Sequence, residues 1–370
     1  MRARRAYRSV VNGSTVRVLA LRWGFRFVFG LPKPVKRLMA GPPIRVDGQT
    51  LDPDLQLLGR IAALLESSDG GTLDQSVLAE QRRQADFAAE VAAEPGLDDI
   101  ETRDLQFPGA IGPLPARLYV PPSAPVSSAM LVYFHGGGFV LGSVASTDPL
   151  CRLLAAQSGV RVLSVEYRLA PEHPYPAALD DAIAAYLWAR AHAAELGAHP
   201  ELIAVGGDSA GGNLALVVAH EQEPHGRPAL VLALYPVTDA ERRGGSRETF
   251  GSGFGLTFDY LQQLERLYLP DGVPSEDTRG AILRASDLSD MPPVYIATAG
   301  FDPLRDDGEE LVDRLRADGV PIVARRFPGL VHGYAGFTAI SAAARDATLD
   351  AASALRAALA LVESRRAARR

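Results

Sequence analysis

The chain has 370 residues, 47% of them hydrophobic and 22% charged, which is the composition of a globular protein with one large core and an accessory layer. It excludes a disordered, collagen-like or disulfide-stapled chain, and the single cysteine, Cys151, excludes an internal disulfide or a cysteine metal cluster. The net charge of −6 is uneven: residues 1–46 hold eleven Arg or Lys and no acid, leaving 27 basic against 44 acidic groups beyond them, a balance of −17. A nucleic-acid enzyme should carry its basic face on the folded body, so an acidic body argues against that class.

In chain order, residues 1–46 form a basic arm. Its apolar stretch is interrupted by Arg17, Arg22 and Arg26, so no run approaches the ~20 residues needed to span a bilayer. It also lacks an apolar core followed by a small-residue cleavage site, against a signal peptide. Arg22 and Arg26 share a helix face, Arg17 points elsewhere, and Trp23, Phe25, Phe27 and Phe29 wrap most of the circumference. The first reading is a helix packed on the body or on a neighbouring subunit. The second is peripheral attachment to an acidic membrane surface, and a frayed tail is the third. The expected location is cytoplasmic, membrane-associated on the second reading.

From Thr50 the pattern becomes helical. Asp52 or Asp54 caps a helix through Leu55, Leu57, Leu58, Ile61 and Leu64, and a second helical run covers about 73–93. These helices precede any predicted strand and must cover something built later, so residues 47–100 are assigned to a cap. Residues 101–370 then alternate. Strands are predicted at 105–107, 116–120, 130–134, 160–167, 202–206, 230–235, 294–299 and 321–327, with helices at 148–158, 177–192, 210–222, 307–318 and within 340–361. The later strands are short, unbroken apolar runs, which implies burial on both faces: an α/β fold with a mainly parallel sheet between helices. Nearly sixty residues, many apolar or aromatic, separate Tyr235 from Val294. A crossover helix does not need so many, and an excursion at about 237–290 forming part of a lid over the sheet's carboxyl edge is expected.

Gly207-Asp208-Ser209-Ala210-Gly211 stands directly after a predicted strand and directly before a helix, the context a G-x-S-x-G nucleophile elbow requires. A glycine-rich phosphate loop would need a Lys-Ser or Lys-Thr pair or a G-x-G-x-x-G run, and neither is present here. His135-Gly136-Gly137-Gly138-Phe139 ends another strand, where glycines free the backbone to turn N–H groups towards an oxyanion, together with the N–H of Ala210. A serine nucleophile needs a positioned base, and in this arrangement the order is Ser, then acid, then His. Of the seven histidines, His220, His225 and His332 follow Ser209. The first two lie on or just past the elbow helix, directed away from its start, which leaves His332. For the acid, Asp302 is first past its strand, with Pro303 keeping it out of helix, whereas Asp306 and Asp307 read as the start of the next helix.

These motifs, with YRLAPEHPYPAALDD (Tyr167–Asp181), DPLRDDGE (Asp302–Glu309) and HGY (His332–Tyr334), resemble the bacterial hormone-sensitive-lipase-like branch of the α/β-hydrolases over roughly residues 51–361. The resemblance implies an eight-stranded, mostly parallel sheet flanked by helices and a helical cap made from the N-terminal segment and the long excursion. It implies a serine esterase or lipase for short to medium acyl esters, working without a cofactor, and some members pair into homodimers through the last strand. Carried over by residue, Ser209 is the nucleophile, Asp302 the acid and His332 the base, with the N–H groups of Gly137, Gly138 and Ala210 as oxyanion donors. The Tyr167–Asp181 segment reads as structural. Amide or acetyl-group hydrolysis and acyl transfer would use the same triad, and a receptor that reuses the fold to bind a ligand is a further alternative. No His-Glu-x-x-His or paired-cysteine pattern points to a metal. The expected partner is a small-molecule ester, with no nucleic acid.

Overall fold

Strands that are apolar on every residue need both faces covered. The computed structural model, which describes residues 18, 20–65, 73, 75–97, 99–124, 128–269 and 277–368, shows what covers them. The arm contributes helices α1 (20–29) and α2 (Lys33–Ala40), while Arg17 lies outside the described residues. A small hairpin, β1 (Arg45–Val46) and β2 (Gln49–Thr50), precedes α3 (Pro53–Leu65) and α4 (Gln75–Val91); the sequence pattern did not indicate it, because two-residue strands carry no periodicity. Asp52, not Asp54, caps α3, its Oδ1 accepting from the N–H groups of Asp54 and Leu55.

The main sheet comprises β3 (Glu101–Pro108), β4 (Pro113–Val120), β5 (Ser128–Phe134), β6 (Arg161–Val165), β7 (Ala198–Asp208), β8 (Val231–Leu234), β9 (Val294–Phe301) and β10 (Ile322–Val331). Helices α5 (Asp148–Ser158), α6 (Ala177–Ala191), α7 (Ala210–His220), α10 (Arg305–Ala317) and α11 (Ala342–Ala368) alternate with these strands, and the excursion carries α8 (Ser246–Thr249) and α9 (Phe258–Tyr268). The order across the sheet is β10-β9-β8-β7-β5-β6-β4-β3, and only β4 runs against its neighbours. Alternation sorts the side chains. Met130, Val132 and Phe134 of β5 pack with α6, α7 and α10, whereas Leu131 and Tyr133 pack with α5 and α11. The chain leaves β5 for β6 on one side and returns to β7 on the other, so the order reverses between β5 and β7. A crevice opens at the carboxyl ends of strands where such a reversal occurs, and ligands bind there.

Helix α4, Leu73 and the excursion meet over that crevice. Arg82 of α4 donates to the carbonyls of Val140 and Ala170, Leu73 N–H donates to Gln263 Oε1 of α9, and the Tyr268 ring stacks on Phe139 at 3.9 Å. The excursion is fastened at its base by Arg247, buried with Asp307 of α10 at 2.8 Å. No described helix is long and apolar enough to cross a membrane.

Removing one member of a buried ion pair strands the other, at a cost of about 3–5 kcal/mol, whereas an exposed pair contributes about 0–1 kcal/mol. Asp307→Ala is therefore expected to lower the unfolding free energy in urea by the larger amount, while Asp313→Ala, which removes the exposed partner of Arg316, changes it little.

Candidate active site

The end of β7 runs straight into α7 with one residue between them, Ser209. A turn that sharp forces Ser209 to φ 53°, the left-handed region that costs a residue with a side chain of order 1–3 kcal/mol. Three backbone hydrogen bonds hold it there: Ser209 N–H donates to the Leu234 carbonyl, and its own carbonyl accepts from Asn213 and Val237. Gly207 and Gly211 flank it because a Cβ on either would strike the Phe134 carbonyl at the end of β5. Their missing side chains let β5, β7 and α7 converge, and Ser209 is left 8% exposed at the floor of a cavity.

Asp302 follows β9 directly and is buried; its Oδ1 accepts from Leu304 N–H at 2.7 Å, which fixes the carboxylate plane. His332 follows β10, with Nδ1 2.9 Å from Asp302 Oδ2 and Nε2 3.0 Å from Ser209 Oγ. With the proton on Nδ1 the imidazole donates to Asp302 and leaves Nε2 free to accept from the serine hydroxyl. Asp302, His332 and Ser209 thus form one continuous line of hydrogen bonds. His220 ends α7, far from this line, and Asp306 and Asp307 lie in the first turn of α10.

The glycine loop after β5 is folded back on itself, with Gly137 at φ 120° and Gly138 at φ 63°. Gly136 N–H is taken by Asp208 Oδ1 at 3.0 Å, whereas Gly137, Gly138, Ser209 and His332 all line the same cavity. Ala210 opens α7, so its N–H is one of the unpaired donors at a helix start. Sequence reasoning missed three supports of this constellation. Asp208 also accepts from Tyr133 OH at 2.7 Å, so one carboxylate joins the elbow to the glycine loop. Tyr167, in the segment read as structural, donates to the His135 carbonyl and stacks on the His135 ring at 4.1 Å. Tyr235 meets the edge of His332 at 5.0 Å. The motif GDSAG contained Asp208, but nothing local distinguished a bridging carboxylate from a turn residue.

The cavity holds about 240 Å3. Its far wall is apolar: Val237, Leu256, Tyr260, Leu261, Leu264 and Tyr268, mostly from α9. Arg247 also lines it but is not available to a substrate carboxylate. All five of its N–H groups are engaged, by Asp307 and by the carbonyls of Asp239, Ala240 and Arg242.

Burial pushes the Asp208 carboxyl above its usual range, only partly offset by the bond from Tyr133 and the nearby imidazoles. A carboxyl whose folded pKa is raised favours the folded state while protonated, and this contribution is lost as pH rises through the folded pKa. Asp208→Asn keeps an oxygen acceptor without the charge. It is therefore expected to be more stable than the native chain at about pH 8, with the gain shrinking as pH falls through the raised pKa of Asp208. Guanidinium titrations across that range check the sign; a difference that does not vary with pH would remove the buried charge from the account.

Known proteins match this arrangement. A model of the α/β-hydrolase fold matches residues 131–336. The carboxylic ester hydrolase LipN of Mycobacterium tuberculosis is 41% identical over 98% of this chain and 95% of its own length. The ethyl acetate hydrolase of Pseudomonas putida is 35% identical over 77% of this chain and 92% of its own. Among solved structures, an ester hydrolase from the metagenome of Lake Arreo superposes with a TM-score of 0.78 at 35% identity, covering 83% of this chain and 98% of that one. With an eight-stranded sheet of this order and relatives of this identity, the chain belongs to the hormone-sensitive-lipase-like branch of the α/β-hydrolase family.

Proposed function

We propose that the chain is a serine carboxylic ester hydrolase working through an acyl-enzyme, with Ser209 as nucleophile, His332 as general base and Asp302 as the acid that orients it. What supports this above all is the Ser209–His332–Asp302 line, closed at 3.0 and 2.9 Å. Ser209 Oγ attacks the ester carbonyl carbon while His332 Nε2 takes the hydroxyl proton. Negative charge then develops on the carbonyl oxygen, in reach of the N–H groups of Gly137, Gly138 and Ala210. The bond to the alcohol oxygen breaks, and His332 returns its proton to that oxygen. Water attacks the acyl-enzyme in the same way, its proton passing to His332 and then to Ser209 as the acid is released. Asp302 stays ionised throughout and stabilises the imidazolium.

In this reading residues 47–100 and about 237–290 are the cap, and the α9 side of the cavity takes the acyl chain. An apolar wall around about 240 Å3 suits short to medium chains. The name of one relative, the ethyl acetate hydrolase, points the same way.

Ser209→Ala is expected to fold normally, to lose ester hydrolysis and to take up no serine-directed organophosphate, while His332→Gln falls by about 10⁴ or more in kcat. Substantial turnover by a folded Ser209→Ala protein would sink the assignment. Along a series of chromogenic esters kcat/KM should rise about fourfold per methylene, the equivalent of ~0.8 kcal/mol of burial, until the cavity is full. Leu261→Ala should carry that rise to longer chains, and an unmoved break point would mean the acyl group lies elsewhere.

A further inference from the structure

The arm has two unlike sides. Its inner side is fastened to the body. Phe25 and Phe29 stack one turn apart at 5.9 Å, and Phe29 shares a buried cluster with Ala40, Leu57 and Ile340. Lys36 is buried, donating to the Phe29 carbonyl at 2.9 Å and pairing with Asp54 at 2.6 Å, and Arg22 donates to the Glu90 carbonyl. Other large apolar groups of the arm are exposed among the described residues. Trp23 and Phe27, one turn apart on α1, are 71% and 72% exposed, and Leu38 of α2 is 83% exposed. At 3.6 residues per turn, positions 23 and 27 fall across the helix from 25 and 29, so well-packed helices turn large apolar groups outward. Such a patch marks a binding surface.

The surrounding charge selects the partner. Arg26, Lys33, Arg37 and Arg45 are exposed on α1, α2 and β1, and no acid occurs before Asp47. A symmetric dimer through this side would set these cations against their own copies. An anionic lipid surface accepts them at the phosphates and takes tryptophan and phenylalanine at the headgroup boundary.

We propose that α1 and α2 dock on an anionic phospholipid membrane, Trp23, Phe27 and Leu38 entering the headgroup–acyl boundary and the four cations meeting phosphate. The arm is also joined to the sheet edge that carries the catalytic loops. Just past the β1–β2 hairpin, Asp52 N–H donates to the Gly329 carbonyl, and Arg305 pairs with Asp47 inside the hairpin. Docking therefore holds the Asp302 and His332 edge beside the arm, although the surface itself does not depend on the catalytic reading.

The test uses the full chain with Trp188→Phe, which leaves Trp23 as the only tryptophan, and vesicles of phosphatidylcholine with or without phosphatidylglycerol. Partitioning should be about tenfold or more stronger with phosphatidylglycerol, weaken with salt, and shift Trp23 emission to the blue. A Phe27→Glu/Leu38→Glu chain should lose partitioning by about tenfold or more while hydrolysing a water-soluble ester at the native rate, which reports an intact fold. Arg26→Gln/Arg37→Gln, which spares the apolar set, should lose the preference for phosphatidylglycerol. Equal partitioning on both vesicles, unshifted emission, or native binding by the Phe27/Leu38 variant would overturn the proposal. So would a dimer that the same variant dissolves while vesicles bind nothing, since that outcome assigns the surface to a second copy.

Discussion

The site depends on two strand ends approaching so closely that no side chain fits between them. The Phe134 carbonyl lies where a Cβ on Gly207 or Gly211 would be, so β5 and β7 deliver their loops to one point. That approach makes the turn at Ser209 sharp enough to require φ 53° and sets the glycine loop beside it. Strain at one residue is held by a network that would be lost if the turn relaxed. The reversal of strand order at this pair adds the open crevice above.

Carboxylates do much of the remaining positioning, and each has a designated donor. Asp302 is held by Leu304 N–H and His332. Asp208 is held by Tyr133 OH and Gly136 N–H, and Asp307 by Arg247. Burial of an unpaired carboxylate would be costly, so each pairing specifies one geometry over its neighbours. One carboxylate meets the His332 imidazole, one ties the elbow to the glycine loop, and one anchors the excursion. The three tasks differ only because different elements were brought to each.

The segments over the crevice show the same economy. Leu264 of α9 would meet any side chain at Gly138, and Tyr268 stacks on Phe139, so the wall that bounds the cavity also presses on the glycine loop. The arm reaches the opposite side of the same edge through the hairpin and Asp52, which accepts from Ser341 of the loop before α11. Its inner phenylalanines make it part of the body; its outer Trp23 and Phe27 do not.

Much of this was legible before any coordinates. Unbroken apolar runs located central strands such as β5 and β8, because a strand covered on both faces has no polar alternation to hide it. Glycine spacing beside Ser209 named the elbow, and the end of the strand at Phe301 put Asp302 ahead of Asp306 and Asp307. The N-terminal helices were legible too, but which aromatic residues of α1 faced inward was not, since four of them ring the helix. Nor were the double duty of Asp208, the edge contact of Tyr235 with His332, or the choice of Asp52 as cap. Residue type and short-range spacing determine strands, turns and the order of reactive groups, because those follow from backbone sterics and local hydrogen bonds. Only tertiary packing decided that His332 meets Ser209 across 123 residues of chain and that α9 roofs the space between them, because that depends on which distant apolar surfaces are buried together.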